Sequence, residues 1–398
     1  MRKGTIIYIG GFELPDKNAA ANRVMANAKI LRKSGYSIVL IGIDKNITFD
    51  DDIKISKQEY EGFTCWGVPY PKNNKEWMKY LTSTDLFSKV VSKYNDIEAV
   101  ICYNYQSVAF ERIRRYCKKN KIKIISDCSE WYGGNEGNIF FKTLKYLDTT
   151  IRMKVINRKV DSLIVVSDYL AQYYNGKNTI VIPTLINSKL KNHSNYVKGY
   201  ENNHIIKLIY AGVPFRLGKP LKNRKLAKDR LDLAILLLYK SFKKGIINFH
   251  FDIYGITKEQ YLEVLPDDSQ MLNELENQII FHGRRSNSDV QKMVNQADFS
   301  LLIRDDNRTT KAGFPTKFTE SITCGVPVIA TNTSDLQKYL VEGKNGYFLD
   351  INKENIDLDK FIMILSLKQE QIEGMKEYCF NSDTFNIENW VDDVRLIL

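Results

Sequence analysis

The sequence predicts an α/β protein built from two Rossmann-like domains, each a parallel sheet covered by helices. Short apolar runs of strand length alternate with helix-like stretches along most of the chain, and that alternation builds parallel sheets. One polar stretch, NSKLKNHSNYVKGYENNH (Asn187–His204), has almost no apolar periodicity and reads as a linker between two such series. The length, 398 residues, suffices for two domains with separate cores. The domains are expected at 1–190 and 205–375.

In order, TIIYIGG (Thr5–Gly11) opens with a first strand over Thr5–Ile9, leaving Gly10 and Gly11 just after it. Bare backbone amides there can approach a phosphate or sugar, although tight turns also use glycine pairs with no ligand. The helix beginning near Asn18–Asn22 spaces Val24, Ala28 and Leu31 helically, ends at Gly35, and would turn Arg23 toward the preceding loop. YSIVLIGI, AVICYN, IKIISDC, SLIVVS and TIVIPT supply further strands of the first domain; IKLIYAG, NFHFDIYG, QIIFHG, DFSLLIR and GVPVIAT form the second series. Within the second, Phe318, Ile322 and Cys324 pattern a short helix that Gly325-Val326-Pro327 stops, giving a βαβ unit over Asp298–Thr331. The loop before that helix lies where open parallel sheets bind ligands, outside the carboxyl ends of the strands. It carries Lys311, Gly313, Phe314, Pro315, Thr316 and Lys317, with Glu320 just inside the helix, a loading that packing does not require. The tail FNIENWVDDVRLIL is amphipathic, with Ile387, Trp390, Val391, Val394 and Leu396 at roughly helical spacing.

Hydrophobic residues at 43% and charged residues at 26% describe a soluble globular chain, and no run reaches the roughly 18 apolar residues of a membrane span. The apolar part of MRKGTIIYIGG is too short for a signal core. Six cysteines without a C-x-x-C pair or close histidines suggest reduced thiols and a cytoplasmic protein, at the inner face of the cell membrane if it docks there. The net charge of +11 reads either as AT-rich coding bias or as attraction to a polyanion. ERIRRYCKKNKIK (Glu111–Lys123) concentrates seven basic residues, as a solvated helix face or as a patch for an anionic membrane surface. No motif supports nucleic acid. No metal cluster, Walker loop or Ser-His-Asp set is found, and the four histidines are dispersed. In SDCSEWYGG (Ser126–Gly134), Asp127 and Glu130 follow a strand, and Trp131 and Tyr132 offer a sugar-stacking surface or a structural aromatic corner.

IYAG, KDRLDLAI, FDIYG, IIFHGR, VQKMVNQADFSLLIR and AGFPTKFTESITCGVPVIAT, in that order, resemble retaining glycosyltransferase family 4 of the GT-B fold, the capsular and surface-polysaccharide type. The resemblance covers nearly the whole second half and is looser in the first, through GGFELPDKNAAANRV and SDYLAQYY before VIP. It implies two domains facing across a cleft, with the last helix, about 380–398, packed back on the first. It implies a hexosyltransferase that moves a sugar from a nucleotide diphosphate sugar to a glycan or lipid-linked glycan acceptor, with no cofactor and no metal. Glu320 would accept hydrogen bonds from both ribose hydroxyls. Gly212, Gly255 and the Lys311–Lys317 loop would hold the rest of the donor, with the Gly313–Thr316 amides at a helix start favouring the diphosphate. Lys228 and Arg216 match the family's phosphate-neutralising positions, and Asp127 and Glu130, from their place after a strand, are read as catalytic or acceptor-facing. The family's first glutamate is replaced by Ala312, and Lys311 and Lys317 stand near the gap. A nucleotide-sugar 2-epimerase of the same architecture, or a non-catalytic scaffold, are the alternative readings.

Overall fold

The computed structural model describes residues 3–49, 56–131, 139–185, 205–351 and 357–398. The stretch read as a linker and Tyr132 lie outside them. The fold is α/β, with two parallel-sheet units. The first comprises Met1–Asn187, Lys311–Phe314 and Asn386–Leu398; the second comprises Ser188–Thr310 and Pro315–Phe385.

The first unit's sheet uses β1 (Thr5–Glu13), β2 (Ser37–Ile43), β3 (Ser56–Tyr60), β4 (Phe63–Val68), β5 (Ile97–Tyr103), β6 (Lys123–Cys128), β7 (Ser162–Val165) and β8 (Asn178–Val181). Their order is β3-β4-β2-β1-β5-β6-β7-β8, parallel except where β3 meets β4. Ile6, Ile7, Tyr8 and Ile9 of β1 are all buried, as a strand covered on both faces requires. This strand is longer than the sequence predicts. It pairs with β5 through Gly10↔Tyr103 and continues to Glu13, so Gly10 and Gly11 lie inside it rather than after it.

Helix α1 (Ala19–Lys33) starts at Asn18, whose Oδ1 accepts the Ala21 N–H at 2.8 Å, and stops before Gly35 in the left-handed region (φ +99°). The chain's last residues pack on it. Ser34 Oγ donates to the Val391 carbonyl at 3.2 Å, Lys33 pairs with Glu388, and Trp390, Val394 and Ile397 are buried. Helix α2 (Ser107–Lys119) carries most of the basic run, and α3 (Ile139–Ile151) continues into a π-helical turn, Arg152–Ile156.

The second unit has β9 (Ile206–Ala211), β10 (Phe249–Tyr254), β11 (Ile279–Gly283), β12 (Phe299–Leu302), β13 (Val328–Ala330) and β14 (Gly346–Phe348), all parallel, in the order β11-β10-β9-β12-β13-β14. Its main core packs α4 (Leu231–Lys243), through Leu231, Ile235 and Leu238, against Leu208, Phe251 and Phe299 of the sheet. A smaller cluster of Ile209, Tyr254, Val294, Ala297 and Val326 takes in α5 (Asn287–Gln296). Between β12 and β13 a one-turn helix, Arg308–Ala312, precedes α6 (Thr316–Thr323).

Candidate functional site

The carboxyl ends of β9, β10 and β12 converge with the start of α6 in the second unit. Gly212 closes β9 at φ +151°; a Cβ there would lie 2.6 Å from Lys317 Cε and 2.7 Å from its Nζ. Gly255 closes β10 at φ +109°, and a Cβ there would lie 2.5 Å from the Gly212 carbonyl oxygen. Both conformations favour glycine. Their N–H groups are already used: Gly212 donates to the Tyr254 carbonyl at 2.9 Å and Gly255 to the Gly283 carbonyl at 2.8 Å. Gly212 leaves room that the Lys317 side chain fills, and Gly255 lets the end of β10 approach the Gly212 backbone.

The hub of this region is a carboxylate that the sequence reading passes over. Asp229 is 1% exposed. Its Oδ2 accepts from Tyr210 Oη at 2.8 Å and from Lys317 Nζ at 2.7 Å, and its Oδ1 accepts from Arg304 Nε at 2.7 Å. Burial alone would raise the Asp229 carboxyl, but Lys317 and Arg304 outweigh it and hold the group well below the usual carboxylate range. Burial and the Asp229 charge push the Tyr210 phenol well up. Lys317 Nζ also lies 5.1 Å from the Tyr210 ring centroid. Arg304 is buried, and its backbone is fixed by exchange with Thr331: the Arg304 N–H donates to Thr331 Oγ1 at 2.8 Å, and that hydroxyl donates to the Arg304 carbonyl at 2.7 Å.

Helix α6 begins at Pro315, which cannot cap it with a side chain, and its first turn holds no acid but does hold Lys317. A lysine at the positive end of a helix is electrostatically misplaced, and Asp229 offsets it. One turn on, at i+3, Glu320 is half-buried. Burial raises its carboxyl above the ordinary value, with Lys317 opposing. No hydrogen bond to its side chain is found among the described residues. Cys324, at the end of α6, is half-buried with its thiol pushed up to about 12, first by burial and then by Glu320.

Of the other residues named from sequence, Lys228 and Arg216 are exposed. Lys311 and Gly313 are half-buried, as is Thr316; Phe314 and Pro315 are buried. Ala312 is fully buried, and its carbonyl accepts from Ser167 Oγ at 3.2 Å within the first unit.

The first unit corrects several readings. Gly10 is buried, and a Cβ there would lie 2.7 Å from Tyr103 Cβ, so strand packing accounts for that glycine; Gly11 is exposed. Arg23 does not face the loop after β1. It is 1% exposed, with Nη2 2.8 Å from Asp127 Oδ1 and Nη1 donating to the Ile182 and Pro183 carbonyls at 2.9 and 3.1 Å. Asp127 does not present a carboxylate to an acceptor. It has no exposed surface, and Arg23, Tyr8 and Asn27 occupy its two oxygens. The ion pair therefore closes the sheet's interior. Trp131 offers no stacking face, being buried edge-on to Tyr173 at 4.7 Å between centroids. Glu130 remains half-buried at the end of this segment.

Two histidines that are far apart in sequence meet in the fold. His282 Nε2 lies 2.5 Å and His250 Nε2 3.3 Å from Asp252 Oδ1, and Tyr254 stacks on His282 at 4.4 Å. His250 and Asp252 border a cavity of about 470 Å³ with Lys207, Phe249, Met293 and Gln296. That cavity takes in none of Gly212, Asp229, Lys317 or Glu320. Among the described residues, no group of three or more His, Cys, Asp or Glu could hold a metal ion, and no helix is long and apolar enough to cross a membrane.

Residues 223–380 match the family Glycosyl transferases group 1. The group 1 segment thus contains Asp229, Arg304, Lys317 and Glu320, while Gly212 lies just before it. Solved structures of the same fold align over almost the full chain. A glycosyltransferase from Rickettsia africae is 16% identical, covering 100% of this chain and 98% of that one at a TM-score of 0.65. Sucrose-phosphate synthase from Thermosynechococcus elongatus is 13% identical over 99% and 98%, at 0.63. HepE from Anabaena, solved with UDP and glucose, is 11% identical over 98% of each chain, at 0.58. All are GT-B glycosyltransferase folds. No curated relative matches the sequence.

Proposed function

We propose that this protein is a glycosyltransferase that moves a sugar from a nucleoside diphosphate sugar to a glycan acceptor on a lipid carrier, with retention at the anomeric carbon and without a metal. The observation that carries the reading is Glu320, a half-buried carboxylate with no hydrogen-bond partner among the described residues, one helical turn from a lysine. Two acceptor oxygens suit the adjacent hydroxyls of a ribose, and an ammonium next to them suits the phosphates attached to it. The Anabaena structure with UDP and glucose supports the same ligand class.

In the reaction, the bond between the anomeric carbon and the diphosphate breaks, and its electron pair goes to the diphosphate. The acceptor hydroxyl oxygen bonds to that carbon, and the released diphosphate takes up its proton. Negative charge grows on the leaving group, so fixed cations contribute directly. Lys317, Arg304, Lys228 and Arg216 are the cations this chain supplies for that purpose.

A lipid-borne acceptor sits at a membrane, and the first unit has a surface suited to one. Helix α2 presents Arg112, Arg115, Lys118 and Lys119 to solvent. Beside it, α3 and its π-helical extension expose Tyr146, Leu147, Ile151 and Val155 at 42–52%, and Lys154 and Arg158 in and after that extension are exposed as well. Apolar residues flanked by cations suit an anionic lipid surface. The basic run is smaller in effect than it reads in sequence, because Glu111 pairs with both Arg114 (2.8 Å) and Arg115 (2.9 Å).

The test is turnover. UDP-, GDP-, ADP- and dTDP-sugars are first screened for thermal stabilisation, since a ligand that binds the folded state raises its melting point. The stabilising donor is then incubated with lipid-linked glycan, and the product anomer is read by NMR. Transfer with retention is the expected result. Donor isomerised without acceptor would make the protein an epimerase, and stabilisation without any turnover would make it a binding protein.

A further inference from the structure

Lysine and arginine side chains are flexible, and a cation that must be ordered on binding loses affinity to that ordering. In the second unit two cations are ordered in advance by one buried acid. Asp229 holds the Lys317 ammonium at 2.7 Å and the Arg304 Nε at 2.7 Å, and Tyr210 fixes the carboxylate from a third side. The lysine stem is confined as well, because it fills the space that a side chain at position 212 would occupy. Arg304 spends only its Nε on Asp229; no partner for its two Nη nitrogens is found among the described residues. The triad of Asp229, Lys317 and Arg304 itself carries a net charge of +1. An ion triad buried only for stability is a poor use of three charges, since desolvation offsets most of their attraction.

We propose that Asp229 is a positioning residue for donor binding, clamping Lys317 and Arg304 so that they meet the donor's diphosphate as an ordered pair. This rests on the donor reading given above and adds Asp229 to it. Asp229 does not touch the ligand; it acts through the two cations. It also separates two physical effects of opposite sign. Through space, a carboxylate beside an anion site repels the ligand, so neutralising it should tighten binding. As a clamp, its neutralisation frees both cations and should weaken binding.

The experiment is a double-mutant cycle on the full chain, read by titration calorimetry with UDP, GDP, ADP and dTDP. For the tightest of the four, Lys317→Met is expected to weaken binding about 10- to 100-fold, the range for losing a charged hydrogen bond. Asp229→Asn is expected to weaken it about tenfold alone and less than about twofold when added to Lys317→Met, the signature of action through that lysine. Asp229→Asn binding as tightly as the parent, or more tightly, overturns the proposal, as does a cost undiminished in the Lys317→Met background. If Asp229→Asn does not fold, Asp229→Glu keeps the charge and shifts the carboxylate by one methylene. A loss of about 3- to 10-fold is then expected, and unchanged affinity overturns the proposal. Should the folded parent bind none of the four nucleotides, the donor reading itself fails and this inference falls with it. Binding by the parent without coupling to Lys317 sinks the inference alone.

Discussion

Glu320→Gln separates a residue kept for a ligand from one kept for stability. In the free protein the carboxylate has no hydrogen bond to lose among the described residues, and burial already disfavours its charge. On the proposed reading it accepts from two ribose hydroxyls in the complex. Replacing a charged acceptor by a neutral one costs about 1 kcal/mol per bond, so about 2 kcal/mol for the pair, or roughly thirtyfold in affinity. The pH dependence follows from the raised carboxyl. As pH falls through its value, above the ordinary glutamate value of 4.5, the parent loses the charge and nucleotide affinity declines; the variant should be flat over the same interval. Stability runs the other way. A carboxyl raised on folding binds its proton more tightly in the folded state, so the folded parent loses stability as pH rises through that value. Without ligand, Glu320→Gln should therefore melt above the parent at pH 8, with the gap closing toward pH 4.5. Calorimetric titration with the stabilising nucleotide and melting curves across that range provide both readouts. Equal nucleotide affinity at pH 8, or a variant that melts below the parent there, refutes the assignment.

Three further outcomes are expected. Lys228→Ala should lower kcat more than it raises the donor KM, because leaving-group charge grows toward the transition state, and EDTA should leave activity intact; an unchanged kcat, or inhibition by EDTA, contradicts the corresponding reading. Asp127→Asn should destabilise the first unit by about 3–5 kcal/mol in urea unfolding, since it leaves the buried Arg23 unpaired; a shift under about 1 kcal/mol would mean that the pair contributes little. For the membrane surface, Leu147→Glu with Ile151→Glu should abolish sedimentation with anionic liposomes at low salt, and Lys118→Glu with Lys119→Glu should weaken it, each lysine near such a surface contributing about 1 kcal/mol. Sedimentation unaffected by both pairs would leave those charges as composition only.

The two sheets are legible in the sequence because each strand is a local signal. DFSLLIR and PVIAT are apolar runs bounded by turn residues, and burial on both faces of a parallel sheet needs nothing more. The loop from Lys311 and the Glu320 carboxylate are legible for a similar reason: polar and glycine residues crowd a place where a packing segment would be bland. Asp229 is not. It stands between Lys228 and Arg230, and its partners lie 19, 75 and 88 residues away in Tyr210, Arg304 and Lys317. Asp127 misleads for the converse reason. An acid after a strand invites a catalytic reading, but its partner Arg23 is 104 residues upstream, and only the fold reveals the pair. The end of β1 is lost to glycine, which the rules of local preference treat as a break. Here Gly10 is instead the one residue that fits against Tyr103.

Cys324 gives this site an intrinsic reporter. It is the one cysteine of the six that is not fully buried, so a small alkylating reagent can be confined to it without removing the others. Its thiol, pushed up to about 12, reacts slowly at neutral pH, because only the thiolate attacks. Part of that suppression comes from the Glu320 charge one turn earlier, so whatever neutralises Glu320 should hasten the labelling, and whatever covers the end of α6 should slow it. Because Cys324 also packs with Ile209, Tyr254 and Val326 beneath the sheet, the labelling rate follows the acid on one side and the smaller core on the other. Occupancy of the site can thus be followed in the unmodified protein, by mass spectrometry and without a substrate analogue.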